Sequence, residues 1–320
     1  MQYCYHVLHL VMQLSMVWNN KPIAIAPMMG WSTPAMQKVM RLLAPNMDFY
    51  AQMYHVEALI RRPELLDGYA LDRFVLQLGG SSPERYAQLA PILKKKGIDR
   101  ININVGCPSQ KVQHGYFGAC LMRTPKLVAE CLNALGTTYA PTQLSIKCRL
   151  GVDHEDDLPF IRHFMETIIT NSGIMTFIIH ARKAWLNGLS PKQNRDIPPL
   201  NYPRVYALKS YYPDCFIMLN GGVKTVDQVL THLNSCDGVM LGRLACDDAY
   251  QLHLIDAYIN GYSAKTRFTL IESLDDYDYS MNLHLQSLYK GVKDSRRWRR
   301  ELAQVEDKSD LLELAHQCSQ

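Results

Sequence analysis

Eight short apolar runs, each followed by a longer amphipathic stretch, recur between Lys21 and about residue 255. They are Ile23 to Ala26, Phe49 to Gln52, Phe74 to Leu78, Arg100 to Val105, Gln143 to Lys147, Thr176 to His180, Phe216 to Asn220 and Gly238 to Leu241. Strands that alternate with helices form a parallel sheet, because a parallel connection needs a crossover and the crossover is usually helical. Eight such units predict a closed (β/α)8 TIM barrel. The rival, an open doubly wound sheet, usually carries G-x-G-x-x-G after an early strand, and none follows Ile23 to Ala26. At 320 residues and 48% hydrophobic content, the chain can bury a barrel core and carry a second, smaller unit. The expected division is an extension over 1–20, the barrel over 21–255 and a small α-helical domain over 256–320.

In such a barrel the loops leaving the C-terminal ends of the strands line one mouth, so residues there are the candidates for chemistry. Pro27, Met28 and Met29 follow the first strand, and Gln77 lies near the end of the third. Asn104 and Cys107 close the fourth, Lys147 and Arg149 the fifth, and His180 the sixth. Asn220, Gly221 and Gly222 end the seventh, and Gly242 and Arg243 the eighth. A lone cysteine is most often a small core hydrophobe. Cys107 is set apart by Gly106 and Pro108, which stop the strand on either side of it. Gly115 and Gly118 beyond it either let the backbone approach a bound planar group or simply form turns. The two glycine-bearing loops at the seventh and eighth strands, with the guanidinium of Arg243, suit a phosphate; singly each reads as an ordinary turn. Lys147 stands in an apolar strand, where an ammonium needs a partner. A bound anion or a barrel carboxylate would serve, and few acids lie on the neighbouring strands.

Asn104-Val105-Gly106-Cys107-Pro108-Ser109, then Val112-Gln113, Gly115 and Phe117-Gly118-Ala119-Cys120-Leu121-Met122, resembles the signature of the tRNA-dihydrouridine synthases. Within that family His180 to Leu200 resembles the A subfamily, and the likeness runs from Lys21 to about Leu302. The resemblance implies an FMN site built from Pro27, Met28, Met29, Gln77, Lys147, His180, Asn220, Gly221, Gly222, Gly242 and Arg243. It implies reduction of D-loop uridines at tRNA positions 20 and 20a, with NADPH or NADH restoring the flavin. Hydride would reach C6 of uracil and Cys107 would protonate C5; an ordinary thiol carries its proton at neutral pH, as a general acid must. Lys147 would face the negative charge that reduced flavin carries near N1. Gln77 offers a donor and an acceptor to the flavin pyrimidine edge. Asn104, and less directly Arg149, would bind the uracil edge.

A uridine within folded tRNA must be extruded to reach such a site, so the enzyme has to grip the RNA around it. A formal charge of +4 is too mild to announce this, and the distribution of basic residues has to carry it. By resemblance Lys192 and Arg195 contact tRNA near the mouth, and Arg296 and Arg299 contact it from the C-terminal segment. That segment holds Lys290, Lys293, Arg296, Arg297, Arg299 and Arg300. Helical spacing would gather Lys293, Arg296 or Arg297, and Arg300 on one side; the plainer reading is a solvated charged helix. Nine cysteines without a C-x-x-C pair suggest no zinc site and no disulfide scaffold, and fit a reducing cytoplasm. Met1 to Trp18 is apolar but short for a membrane span and lacks an early basic residue, so a start-site or packing extension is expected rather than a targeting segment. No membrane association and no stable protein partner are expected.

Some residues depart from the family pattern. Gly30 stands in place of an acid, Ser32-Thr33-Pro34 in place of Thr-Asp-Arg, and Gln52 in place of a glutamate. Ala245-Cys246-Asp247-Asp248 lacks the usual proline turn. These departures leave two alternatives open: a small-molecule FMN oxidoreductase on the same barrel, and a non-catalytic tRNA-binding homologue.

Overall fold

Strand β1 (Ile23–Ile25) pairs in parallel with β2 (Asp48–Tyr50) on one side and with β8 (Gly238–Leu241) on the other. From β2 the sheet continues through β3 (Phe74–Gly79), β4 (Ile101–Val105), β5 (Leu144–Arg149), β6 (Thr176–His180) and β7 (Phe216–Asn220) back to β8. The barrel of this computed structural model is therefore closed, as the strand count predicts. The structure describes residues 23–319, so the expectation for the N-terminal extension lies outside the described residues. A further two-residue strand, Tyr54–His55, runs beside the end of β3 and was not expected. Two strand ends also differ from the sequence reading. β5 continues to Arg149, because that residue is still in register with His180, so Lys147 lies inside the strand. β2 stops at Tyr50 and leaves Gln52 on the loop.

Side chains alternate across a strand, so each strand sends one set into the barrel and one toward the helices. Ala24, Ala26, Tyr50, Val75, Ile178, Met218 and Met240 form the apolar cluster inside. Further along β3, at Gln77, and on β4 and β5 the inward positions are polar. Asn104 Nδ2 donates to Gln77 Oε1, Gln77 Nε2 to Asn102 Oδ1, and Asn102 Nδ2 to Ser145 Oγ, at 2.8, 2.8 and 2.9 Å. Buried amides persist only when bonded in this way. The chain of bonds leads from the barrel interior up to the mouth.

Proline at the first helical turn, where an N–H has no partner in any case, recurs around the barrel. It opens α1 (Pro34–Leu43, capped by Thr33) and α2 (Pro83–Lys95, capped by Ser82). After β4 comes the short α3 (Gln110–His114). The helix α4 (Ala249–Asn260), capped by Asp248, runs through the expected boundary at residue 255 without a break. Asp248 takes that role from the segment that lacks the proline turn. Beyond it lies a helical region whose core is Trp298, fully buried, stacked on Tyr289 with centroids 4.2 Å apart and donating from Nε1 to Leu285 O. Lys38 on α1 reaches Asp276 and Asp278, and Thr33 meets His284, which joins this region to the barrel. The basic helix there, α5, spans Ser295–Glu301. Lys293 precedes it, which corrects the expectation that it shares the helix with the arginines. Among the described residues no helix is long and apolar enough to cross a membrane.

Candidate active site at the barrel mouth

Cys107 follows β4 on a loop held from three directions. Asn104 Oδ1 accepts from the N–H groups of Gly106 and Cys107, at 3.1 and 3.0 Å. Arg149 Nε donates to Gly106 O at 2.9 Å. Ala119 N donates to Cys107 O, also at 2.9 Å. Gly118 is glycine for two reasons: its φ is +77°, and a Cβ would stand 2.6 Å from Cys107 O and 2.4 Å from Val112 Cγ1. The half-buried thiol is thereby presented at the mouth on a loop with little freedom. Of the two readings of Gly115 and Gly118, close approach applies to Gly118, and what it approaches is Cys107 itself.

Lys147, two strand positions below Arg149, points its ammonium to the neutral amide of Asn220, with Nζ to Oδ1 at 2.9 Å. Asn220 is oriented for this by its own donation to Met240 O at 2.8 Å. Among the described residues no carboxylate pairs with Lys147, so the salt-bridge alternative is not what the fold contains. Burial first, and then the charge of Arg149, pushes the Lys147 pKa down to about 8. His180, next along the mouth, is held well below the ordinary histidine pKa by burial and then by Arg149, Lys147, Arg182 and Arg243, so its ring is neutral. The bare backbone of Gly221 (φ +121°) lies against that ring, where a Cβ would come within 2.7 Å of Cδ2. A Cβ on Gly222 would collide with Leu200 and Tyr202. Gly242 has room for a side chain, so no steric demand accounts for it.

Arg243 Nη1 pairs with Asp196 at 2.6 Å, and Arg182 Nη1 donates to the carbonyl oxygens of Asp196 and Pro198. Arg182 escaped the sequence reading. Its signal was its place two residues after a strand-end histidine. Four cations thus share the mouth with a neutral imidazole and one partly exposed carboxylate. Such a site has an excess of positive charge, which a bound anionic group would offset. FMN is such a group. Of the other expected cofactor residues, Pro27 and Met28 are half-buried at the rim, Met28 Sδ lying 3.8 Å from Cys246 Sγ, and Met29 is 62% exposed. Gln77 is 1% exposed, with its amide already bonded to Asn102 and Asn104.

Arg149, expected near the uracil edge, is 4% exposed and braces the site. Besides Gly106 O, it bonds Lys183 O at 2.8 Å and Asn194 O at 3.0 Å through Nη1. It therefore ties the Cys107 loop to the loop after β6. That second loop is organised by Asn194, fully buried, whose side chain bonds both the N–H and the C=O of Trp185 at 2.8 and 2.9 Å. Nothing in a polar, Gly- and Pro-rich stretch marks Asn194 as the buried member. Its neighbours Lys192 and Arg195 are exposed. Lys183 is committed to Asp156 and to the face of Trp185. On α5, Arg296 and Arg299 are exposed one turn apart, whereas Arg297 turns to Glu301 and Gln317.

The profile of the family described as Dihydrouridine synthase (Dus) matches residues 24–320. A tRNA-dihydrouridine(20/20a) synthase from Xanthomonas axonopodis pv. citri is 41% identical, the match covering 88% of each chain. The protein of that name from Escherichia coli K12 is 38% identical over 93% of this chain and 91% of its own. Among solved structures, morphinone reductase in complex with tetrahydroNAD superposes with a TM-score of 0.52, covering 76% of this chain and 88% of its own. TcOYE with pHBA gives 0.53 over 76% and 90%. At 11% and 10% identity these two share the barrel fold.

Proposed function

The chain belongs to the dihydrouridine synthase family, and from that premise we propose that it reduces uridines 20 and 20a of tRNA to 5,6-dihydrouridine. FMN is the proposed cofactor, NADPH (or NADH) the reductant, tRNA the macromolecular partner and the cytoplasm the place of action. When bound, FMN supplies the hydride that goes to C6 of uracil. Every other part of the step falls to the chain. Cys107 delivers a proton to C5, and Asn104 and Arg149 keep its loop in place through the N–H and C=O groups around it. Asn104 has a second Nδ2 hydrogen to offer the uracil edge. Lys147, aimed by Asn220, would hold positive charge beside the bound flavin ring. Gly221 and Gly222, whose missing side chains make room for His180, Leu200 and Tyr202, would offer backbone N–H groups to the phosphate, with Arg182 and Arg243 as its counter-charges. His180, kept neutral, can donate or accept without repelling that cluster.

The observation that carries this reading is the Cys107 thiol, held on the loop that follows β4, beside the strand whose Lys147 meets Asn220; Asn104 and Lys147 are in register across β4 and β5. A small-molecule flavin oxidoreductase would share the mouth but has no use for exposed Arg296 and Arg299. A non-catalytic tRNA-binding homologue would have no use for Cys107. The test is to purify the protein, identify its flavin, and map dihydrouridine by mass spectrometry in tRNA from cells with and without it. Loss of dihydrouridine at 20 and 20a, restored by the wild-type gene, is expected. Unchanged tRNA, or protein that neither carries nor takes up FMN, overturns the reading.

A further inference from the structure

Helix α3, directly after Cys107, ends in the hydrogen-bond pattern of a Schellman cap. The N–H of Tyr116 donates to Gln113 O at 2.8 Å and that of Phe117 to Val112 O at 3.2 Å. This makes Tyr116 the residue that takes up left-handed backbone, and its φ is +53°. Glycine is the usual occupant, since a Cβ is strained there. A glycine stands one position earlier, at 115, yet the left-handed position is a tyrosine. Burial of the ring does not offset the strain, for Tyr116 is 55% exposed. The packing is done by Phe117, whose ring meets His55 at 5.0 Å between centroids and fills the space beside Gly79 and Gly115. The backbone conformation is thus imposed by the inward Phe117, and it leaves Tyr116 pointing outward.

Tyr116 lies at the rim of the site. Two residues on, Gly118 closes over Cys107. Gln113, on the same helix, donates to Leu186 O at 2.7 Å and so fastens this rim to the loop bearing Lys192 and Arg195. Lys111 and His114 are exposed beside it. An aromatic face near the cationic Lys111, Lys192 and Arg195 is the combination that binds unpaired nucleotides, the charges following the backbone and the ring stacking on a base. A uridine drawn out to Cys107 leaves a neighbour without its stacking partner. We propose that Tyr116 stacks on a base adjacent to the target uridine and replaces the lost stack. This rests on the tRNA reading above.

The test separates ring, hydroxyl and backbone by comparing Tyr116→Gly, Tyr116→Ala and Tyr116→Phe for the KM of tRNA, kcat, flavin content and thermal midpoint. Loss of the ring should raise KM for tRNA about tenfold in the Gly and Ala variants, within the range for one base–aromatic stack. Tyr116→Phe should stay within about twofold of wild type. Flavin content and reduction by NADPH should not change. Tyr116→Gly should also raise the thermal midpoint, by about 2 °C, because it relieves the left-handed strain. Tyr116→Ala keeps the strain and so controls for a loosened loop. Wild-type KM in both the Gly and Ala variants overturns the proposal, as does a Phe variant that loses as much as Gly. Wild-type protein that leaves tRNA unmodified overturns the proposed function as well, an outcome distinct from either of these.

Discussion

The main-chain N–H of Gly30 donates to Gln52 Oε1 at 2.9 Å, across the loops that follow β1 and β2. These are two of the positions at which a departure from the family pattern is expected. Gln52 N also donates to Ser32 O at 3.0 Å, and Gln52 Nε2 to Tyr54 OH at 3.3 Å. Tyr54 OH lies 3.2 Å from Tyr69 OH, and Tyr69 OH donates to Ser32 O at 2.6 Å. Gly30, Ser32 and Gln52 thus belong to one network, with Gly30 supplying a left-handed turn (φ +74°) and Gln52 an acceptor for its N–H.

That turn makes a stability prediction. A Cβ at Gly30 would meet nothing within 4 Å, so the cost of Gly30→Ala comes from the backbone alone and should be about 1 kcal/mol. Gly30→Asn should cost less, because asparagine tolerates the left-handed region. Urea unfolding of the three proteins checks this; equal losses for Ala and Asn would show that the backbone conformation is not the cause.

Lys147 predicts a pH dependence with a definite sign. Its folded pKa, about 8, lies below the ordinary 10.5. Between those values the unfolded chain binds more protons than the folded one, so this group's contribution to stability rises with pH across that window in flavin-free protein. Lys147→Met should remove the slope. In the loaded enzyme the same change should slow flavin reduction. Parallel stability-pH curves for wild type and variant would refute the shift, and unchanged reduction kinetics would make the lysine structural.

Cys107→Ala should retain flavin and tRNA binding while dihydrouridine formation falls by at least about 100-fold, the lower end for a lost general acid. Cys120→Ala should be mild. Its thiol donates to Phe117 O at 3.2 Å and burial raises its pKa, so it packs rather than reacts. Single-turnover assays on both variants decide it; wild-type turnover in Cys107→Ala would end the general-acid assignment.

The two exposed basic pairs should act on one substrate. Lys192→Ala with Arg195→Ala, and Arg296→Ala with Arg299→Ala, should each flatten the log–log salt dependence of tRNA affinity by roughly 2 units, about one per lost phosphate contact. Arg297→Ala, whose guanidinium is engaged by Glu301 and Gln317, is the matched control and should leave the slope unchanged. Flavin content should be normal throughout. Identical slopes in all the variants would mean that these side chains face only solvent.

By itself the sequence determined the barrel, its strand order and which residues stand at or near the strand ends, because each is local information. An apolar run bounded by turn residues specifies a strand, alternation with amphipathic segments specifies parallel pairing, and a residue at a strand's end reaches the mouth whatever its partners are. The places of Cys107, His180, Gly221 and Gly222 after or at strand ends were legible for that reason. Only the tertiary structure decided which of these groups are bonded to one another. Arg149 reads as a ligand-binding cation, but its carbonyl partners lie 34 to 45 residues away, and bringing them within reach makes it a brace. The ammonium of Lys147 meets Asn220, 73 residues on, only once the barrel has closed. Asn194 and Arg182 were unreadable on the same ground, since burial of a polar side chain depends on partners that chain folding supplies. So was the left-handed Tyr116, whose conformation is imposed by the packing of its neighbour Phe117.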